Sequence, residues 1–106
     1  MPDALLVMTT LPDQQAGEKL ASALVGAGLA ACVNVGLPVT SIYRWRGRIE
    51  RGSEVILTIK TSRARYASLQ EAIVAAHPYE LPEVIAVPIT EGLTDYLAWI
   101  EACTEN

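Results

Sequence analysis

SEVILTIKT, residues 53–61, carries Val55 and Leu57 on one side of an extended chain and Ile56 on the other. Its β-branched residues and length predict a strand. A strand that is apolar on both sides belongs in a sheet covered on both faces. The fold therefore has to supply two covers, and the flanking sequence must show what they are.

Downstream, Ser62 is placed to cap a helix whose Tyr66, Leu69, Ile73 and Ala76 fall at helical spacing, and Pro78 forbids its continuation. EVIAVPIT, residues 83–90, reads as another strand, and Thr94 opens a short last helix carrying Leu97, Ile100 and Cys103. Upstream, the chain reverses near Gly47, and residues 32–46 read as a strand that Gly36 and Pro38 must bend or bulge. ALLVMTT, residues 4–10, is a first strand. Pro12-Asp13 then offers a turn and an N-cap for a helix with Ala16, Leu20, Ala23, Leu24 and Ala27 on one face, ended by Gly28.

Strand, helix, strand, strand, helix, strand is the ferredoxin-like α+β order, with an antiparallel sheet arranged 4-1-3-2 and an extra C-terminal helix, as one domain over residues 1–106. Both crossover helices pack on one face. The other face stays apolar, because Leu5 and Val7 alternate with Leu6 and Met8, and Ile85 and Val87 with Val84 and Ala86. Residues 32–46 fully extended would reach roughly 50 Å, well beyond a domain with a radius of gyration near 13 Å. A projecting ribbon with Tyr43 and Trp45 and an open apolar face together predict a homo-oligomer.

The chain of 106 residues is 51% hydrophobic, with a formal charge of −4. That balance gives no attraction to phosphate backbones or anionic membranes, so neither nucleic acid nor membrane is expected as a partner. The N-terminal MPDALLVMTTLPD has no basic stretch and too short an apolar run for a signal peptide, which predicts a cytoplasmic protein. Cys32 and Cys103 form no C-x-x-C pair and are expected to be reduced and mostly buried.

HPYELPEV, residues 77–84, holds the one histidine. His77 reads as a helix-ending residue that caps carbonyls, as a metal ligand with Glu80 or Glu83, or as a general acid or base. In SIYRWRGR, residues 41–48, strand alternation puts Tyr43 and Trp45 on one face and Arg44, Arg46 and Arg48 on the other. The aromatics then read as interface anchors rather than as a stacking platform for bases. The topology places Cys32 at the opposite end of the sheet from His77, which argues against a Cys-His pair within one chain. Lys60 reads either as a snorkelling lysine paired with Glu54 or Glu83, or as an anion-recognising lysine in a cleft between subunits, walled by Tyr79 and Trp45. No phosphate loop, nucleophile elbow or carboxylate cluster appears, so the chain is expected not to be an enzyme.

ACVNV at 31–35, SIYRWRG at 41–47, EVILTIKT at 54–61, and HPYELPEV followed by GLTDYLAWI at 92–100 together resemble the CutA divalent-cation tolerance family, from Leu6 to Cys103. The resemblance implies a ferredoxin-like homotrimer with inward-facing sheets, kinship to PII-type signalling proteins, and association with copper or other divalent cations. It places copper ligands at a strand-end cysteine and a histidine pair. Here those positions are Thr9 and Ala76-His77. His77 alone carries over as the metal residue, so weak copper(II) binding is expected, losing strength as the pH falls because only neutral imidazole coordinates. The ligand cleft is expected at Lys60, Tyr79, Glu83 and Trp45. A trimeric scaffold for a protein partner and a small-metabolite enzyme using His77 and Lys60 are the alternatives.

Overall fold

The computed structural model describes residues 3–105. Strand β1 (Ala4–Leu11), helix α1 (Gln14–Gly26), strands β2 (Cys32–Trp45) and β3 (Arg48–Ser62), helix α2 (Tyr66–Ala76), strand β4 (Ile85–Pro88) and helix α3 (Thr94–Cys103) follow in that order, with a 3₁₀ turn at Arg63–Arg65 leading into α2. The sheet runs β2-β3-β1-β4, every neighbouring pair antiparallel, which is the predicted order 4-1-3-2 read from the other edge.

Local chemistry sets the boundaries. Asp13 caps α1 by accepting the Ala16 amide at 2.8 Å. Beyond α1, Gly28 takes φ +71°, and the amides of Gly28 and Leu29 return to the carbonyls of Val25 and Leu24, a Schellman stop that only a residue free of Cβ adopts cheaply. The β2–β3 hairpin turns on Arg46 and Gly47, both with positive φ, as a two-residue type I′ turn requires. The predicted irregularity in β2 is present: the register shifts between Val35 and Pro38.

The helix-side face of the sheet packs Leu5, Val7, Leu11, Val55, Leu57 and Ile59 against Leu20 and Leu24 of α1 and Leu69 and Ile73 of α2. Side chains of this kind each contribute about 1.5–3 kcal/mol when fully buried. A smaller cluster of Ala4, Ala31, Leu97 and Ile100 seats α3 where β1 begins. The opposite face remains open over most of its length. Ile56, Ile85 and Val87 are 37%, 48% and 45% exposed, with half-buried Leu6 and Met8 between them. The hairpin projects as expected, giving the chain extents of 44 × 25 × 23 Å.

Several expectations need correction. Strand β3 starts at Arg48, five residues before the predicted boundary, because the solvated arm carries charges and Gly52 instead of an apolar pattern. Strand β4 covers only residues 85–88 of the predicted 83–90. Ser62 makes no capping bond; its hydroxyl accepts from Thr104 at 2.9 Å instead. The buried stripe of α3 runs through Leu97 and Ile100 towards Thr104, so Cys103 is exposed, and Cys32 is half-buried. Arg46 does not share a strand face with Arg44 and Arg48. Its left-handed turn conformation breaks the alternation and swings the guanidinium over the Trp45 ring, 5.1 Å from the centroid.

Candidate functional site

The α2–β4 connection is tied to β1 by its histidine. Backbone parity explains how. The Ala4 carbonyl accepts the Ile89 amide, so the carbonyls of residues 4, 6, 8 and 10 face the β4 edge. Strand β4 begins at Ile85, opposite Met8, which leaves the Thr10 carbonyl beyond its end. His77 fills that place with Nε2 2.7 Å from Thr10 O, and the Tyr79 amide donates back to Nδ1 at 3.1 Å. The two bonds are compatible only with a neutral ring protonated on Nε2. The His77 and Tyr79 rings lie 4.7 Å apart.

Tyr79 in turn meets Glu54. Burial alone would raise the Glu54 carboxyl pKa, but hydrogen bonds from the hydroxyls of Ser41, Tyr79 and Thr10 outweigh it and hold the group below the ordinary carboxylate range. Burial and the same Glu54 contact push the Tyr79 phenol up, keeping it protonated. Around the end of β1, Thr10, Ser41, Glu54, His77 and Tyr79 thus form one polar network on the rim of the open face. Sequence reading singled out Tyr79 and His77 here but missed Glu54 as the acceptor; the only signal available was a carboxylate opening an otherwise apolar strand.

Lys60 lies elsewhere. Its Nζ donates to Asn34 Oδ1 at 2.7 Å and sits 4.0 Å from Cys32 Sγ, with neither Glu54 nor Glu83 as partner. Six residues of β3 separate it from Glu54, about 20 Å at strand rise, and twelve separate it from Arg48, the partner of Trp45, about 40 Å. Lys60 pairs with Leu6 while His77 holds Thr10, roughly 13 Å further along β1. A single chain therefore does not assemble Lys60 with Tyr79 and Trp45, nor with His77. Glu83 is exposed and precedes β4, and Glu80 is occupied by Arg46, whose Nη2 reaches its two carboxylate oxygens at 3.0 and 2.7 Å. A concavity of about 460 Å³ is bordered by Asp3, Ser62, Arg63, Arg65, Glu101 and Thr104 and contains none of the site residues expected from sequence.

The copper set fits poorly. Thr9 is 0% exposed on the helix-side face, its hydroxyl without a partner among the described residues. Ala76 offers no donor atom, and both His77 nitrogens are engaged. Among the described residues no group of three His, Cys, Asp or Glu side chains is placed to hold a metal ion.

A four-stranded antiparallel sheet with two helices on one face, a third at its end and an open apolar face defines a small α+β protein of ferredoxin-like topology. The model of the CutA1 divalent ion tolerance protein family matches residues 5–103, and the chain belongs to that family. It is 43% identical over 103 residues to the chloroplastic protein CutA of Arabidopsis thaliana, covering 97% of this chain but 57% of that longer one. The crystal structure of CutA1 from the psychrotrophic bacterium Shewanella sp. SIB1 superposes with a TM-score of 0.95 at 42% identity, covering 99% of this chain and 98% of that one. The CutA of Archaeoglobus fulgidus, described as periplasmic, superposes with a TM-score of 0.92 at 33% identity, over 96% and 99% of the two chains. No helix among the described residues is long and apolar enough to cross a membrane.

Proposed function

We propose that the chain acts as a cytoplasmic homotrimer that binds a small anionic ligand at its subunit clefts and serves divalent-cation tolerance as a PII-like sensor, without turnover. The observation that carries this reading is the open sheet face of Leu6, Met8, Ile56, Ile85 and Val87, which is too apolar to remain in water and is continuous with a projecting hairpin arm. Packing these faces around a threefold axis buries them. It also brings the arm of one protomer, with Trp45, and the rim of another, with Tyr79 and Glu83, towards the Lys60 of a third surface. Only assembly can join residues that lie about 20–40 Å apart along the strands of one chain.

Native mass spectrometry of the untreated protein tests the proposal, because it reports assembly and retained ligand together. The expected result is a trimer with bound small-molecule mass, and a Lys60→Ala trimer that has lost that mass. A monomer, or ligand retention unchanged by Lys60→Ala, overturns it.

A further inference from the structure

We infer that His77 is a tautomer-fixed clasp that closes the edge of the sheet and positions Tyr79, and that it does not serve as a ligand for a divalent cation in this chain. Coordination needs an unshared pair on an imidazole nitrogen. Nε2 spends its proton on the Thr10 carbonyl at 2.7 Å, and Nδ1 spends its pair on the Tyr79 amide at 3.1 Å. A cation at Nδ1 would have to displace the Tyr79 N–H. A cation at Nε2 would force the proton to Nδ1, against that same N–H, and leave the Thr10 carbonyl facing the metal's position without a donor.

The surroundings agree. A second ligand from position 9 would have to leave the core, where Thr9 stands between Val7 and Leu11 opposite Leu57. Position 76 supplies a methyl group. Glu80, the nearest carboxylate along the chain, is already held by Arg46. What the histidine does instead is extend the β1 ladder by one partner beyond the end of β4 and fix the first residues of the connection. The Tyr79 backbone is thereby fixed through its amide, with the phenol beside Glu54, so the geometry of the polar network at the rim of the open face follows from the two bonds of the His77 ring.

Two measurements on the intact protein test this. Nitrogen-15 correlation spectra of the imidazole report its tautomer directly, and the expected pattern is a proton on Nε2 that stays unchanged when zinc(II) is added in slight excess. Zinc(II) and copper(II) titrations are then compared for the native chain, His77→Gln and His77→Ala. Glutamine keeps a donor for Thr10 O but lacks the imidazole. The expected result is equal cation affinity in all three, with the Tyr79 ring signals retained in His77→Gln and displaced in His77→Ala. Loss of a true ligand, or of the groups that orient one, lowers affinity by about tenfold or more. A drop of that size in both variants, a zinc-dependent shift of the His77 nitrogens, or an Nδ1-protonated ring overturns the inference.

Discussion

Thr9→Val should stabilise the protein. Thr9 is 0% exposed near the end of β1, on the face covered by the helices, and its hydroxyl has no hydrogen-bond partner among the described residues. A buried hydroxyl left unpaired costs about 1–3 kcal/mol. Valine keeps the branched shape and replaces that oxygen with a methyl group, so most of the penalty is recovered and no cavity opens. For a domain of this size each kcal/mol moves the melting temperature by about 4–8 °C, and a rise of at least about 4 °C is expected. Thr61→Val is the matched control. Thr61 is equally buried on the same face, but its hydroxyl donates to Leu29 O at 2.7 Å. Removing it orphans that carbonyl and should destabilise by about 1–3 kcal/mol. Thermal and urea unfolding at fixed protein concentration read both variants, since the proposed assembly would make stability concentration-dependent. If Thr9→Val lowers stability by about 0.5–1.5 kcal/mol, the hydroxyl makes a bond after all and the reasoning fails.

Leu57→Ala, at a fully buried site in the centre of β3, should cost about 2–5 kcal/mol in urea unfolding; a loss under 1 kcal/mol would mean the core collapses around the gap. Arg46→Ala should change stability by less than about 1 kcal/mol, because the Arg46–Glu80 pair is 69% exposed on both sides, and a larger loss would show that the turn depends on it. The Glu54 carboxyl, held low in the folded state, supplies stability that is present above its unfolded value of about 4.3 and is lost as the pH falls through the lower folded value. Tyr79→Phe should therefore move the NMR titration of Glu54 upward and weaken the acid dependence of stability; an unmoved titration would remove the phenol from the network. The raised Tyr79 value has the opposite sign, with stability complete below about pH 10 and declining above it.

Much of the fold was legible because it rests on patterns that survive without coordinates. Alternation in residues 53–61, Asp13 as a cap and Gly28 as a stop reflect interactions within a few residues, and each falls where expected, whereas the buried face of α1 is turned from the expected one to Gly17, Leu20, Ala21 and Leu24, leaving Ala23 and Ala27 exposed. Residues 48–52 escaped because an exposed arm needs no apolar alternation to stay extended once its partner strand pairs with it. The site was legible only in part. His77 was recognisable as a helix end, but its partner, the Thr10 carbonyl, is 67 residues away and becomes available only because β4 stops short. Lys60 was visible as the one cation closing an apolar strand. Its contact with Asn34 follows from the register of β2 against β3, which no local pattern specifies.

The central claim is that the open sheet face is an interior surface of a homotrimer. Sedimentation equilibrium at micromolar concentration tests it most directly, on the native chain and on Ile85→Lys, which places a charge in the middle of the exposed Ile56, Ile85 and Val87 patch without touching the helix-side core. The account predicts a single species of three times the 11.4 kDa chain mass for the native protein and dissociation to folded monomer for Ile85→Lys. A native protein that sediments as a monomer, or an Ile85→Lys variant that assembles as tightly as the native chain, would contradict it.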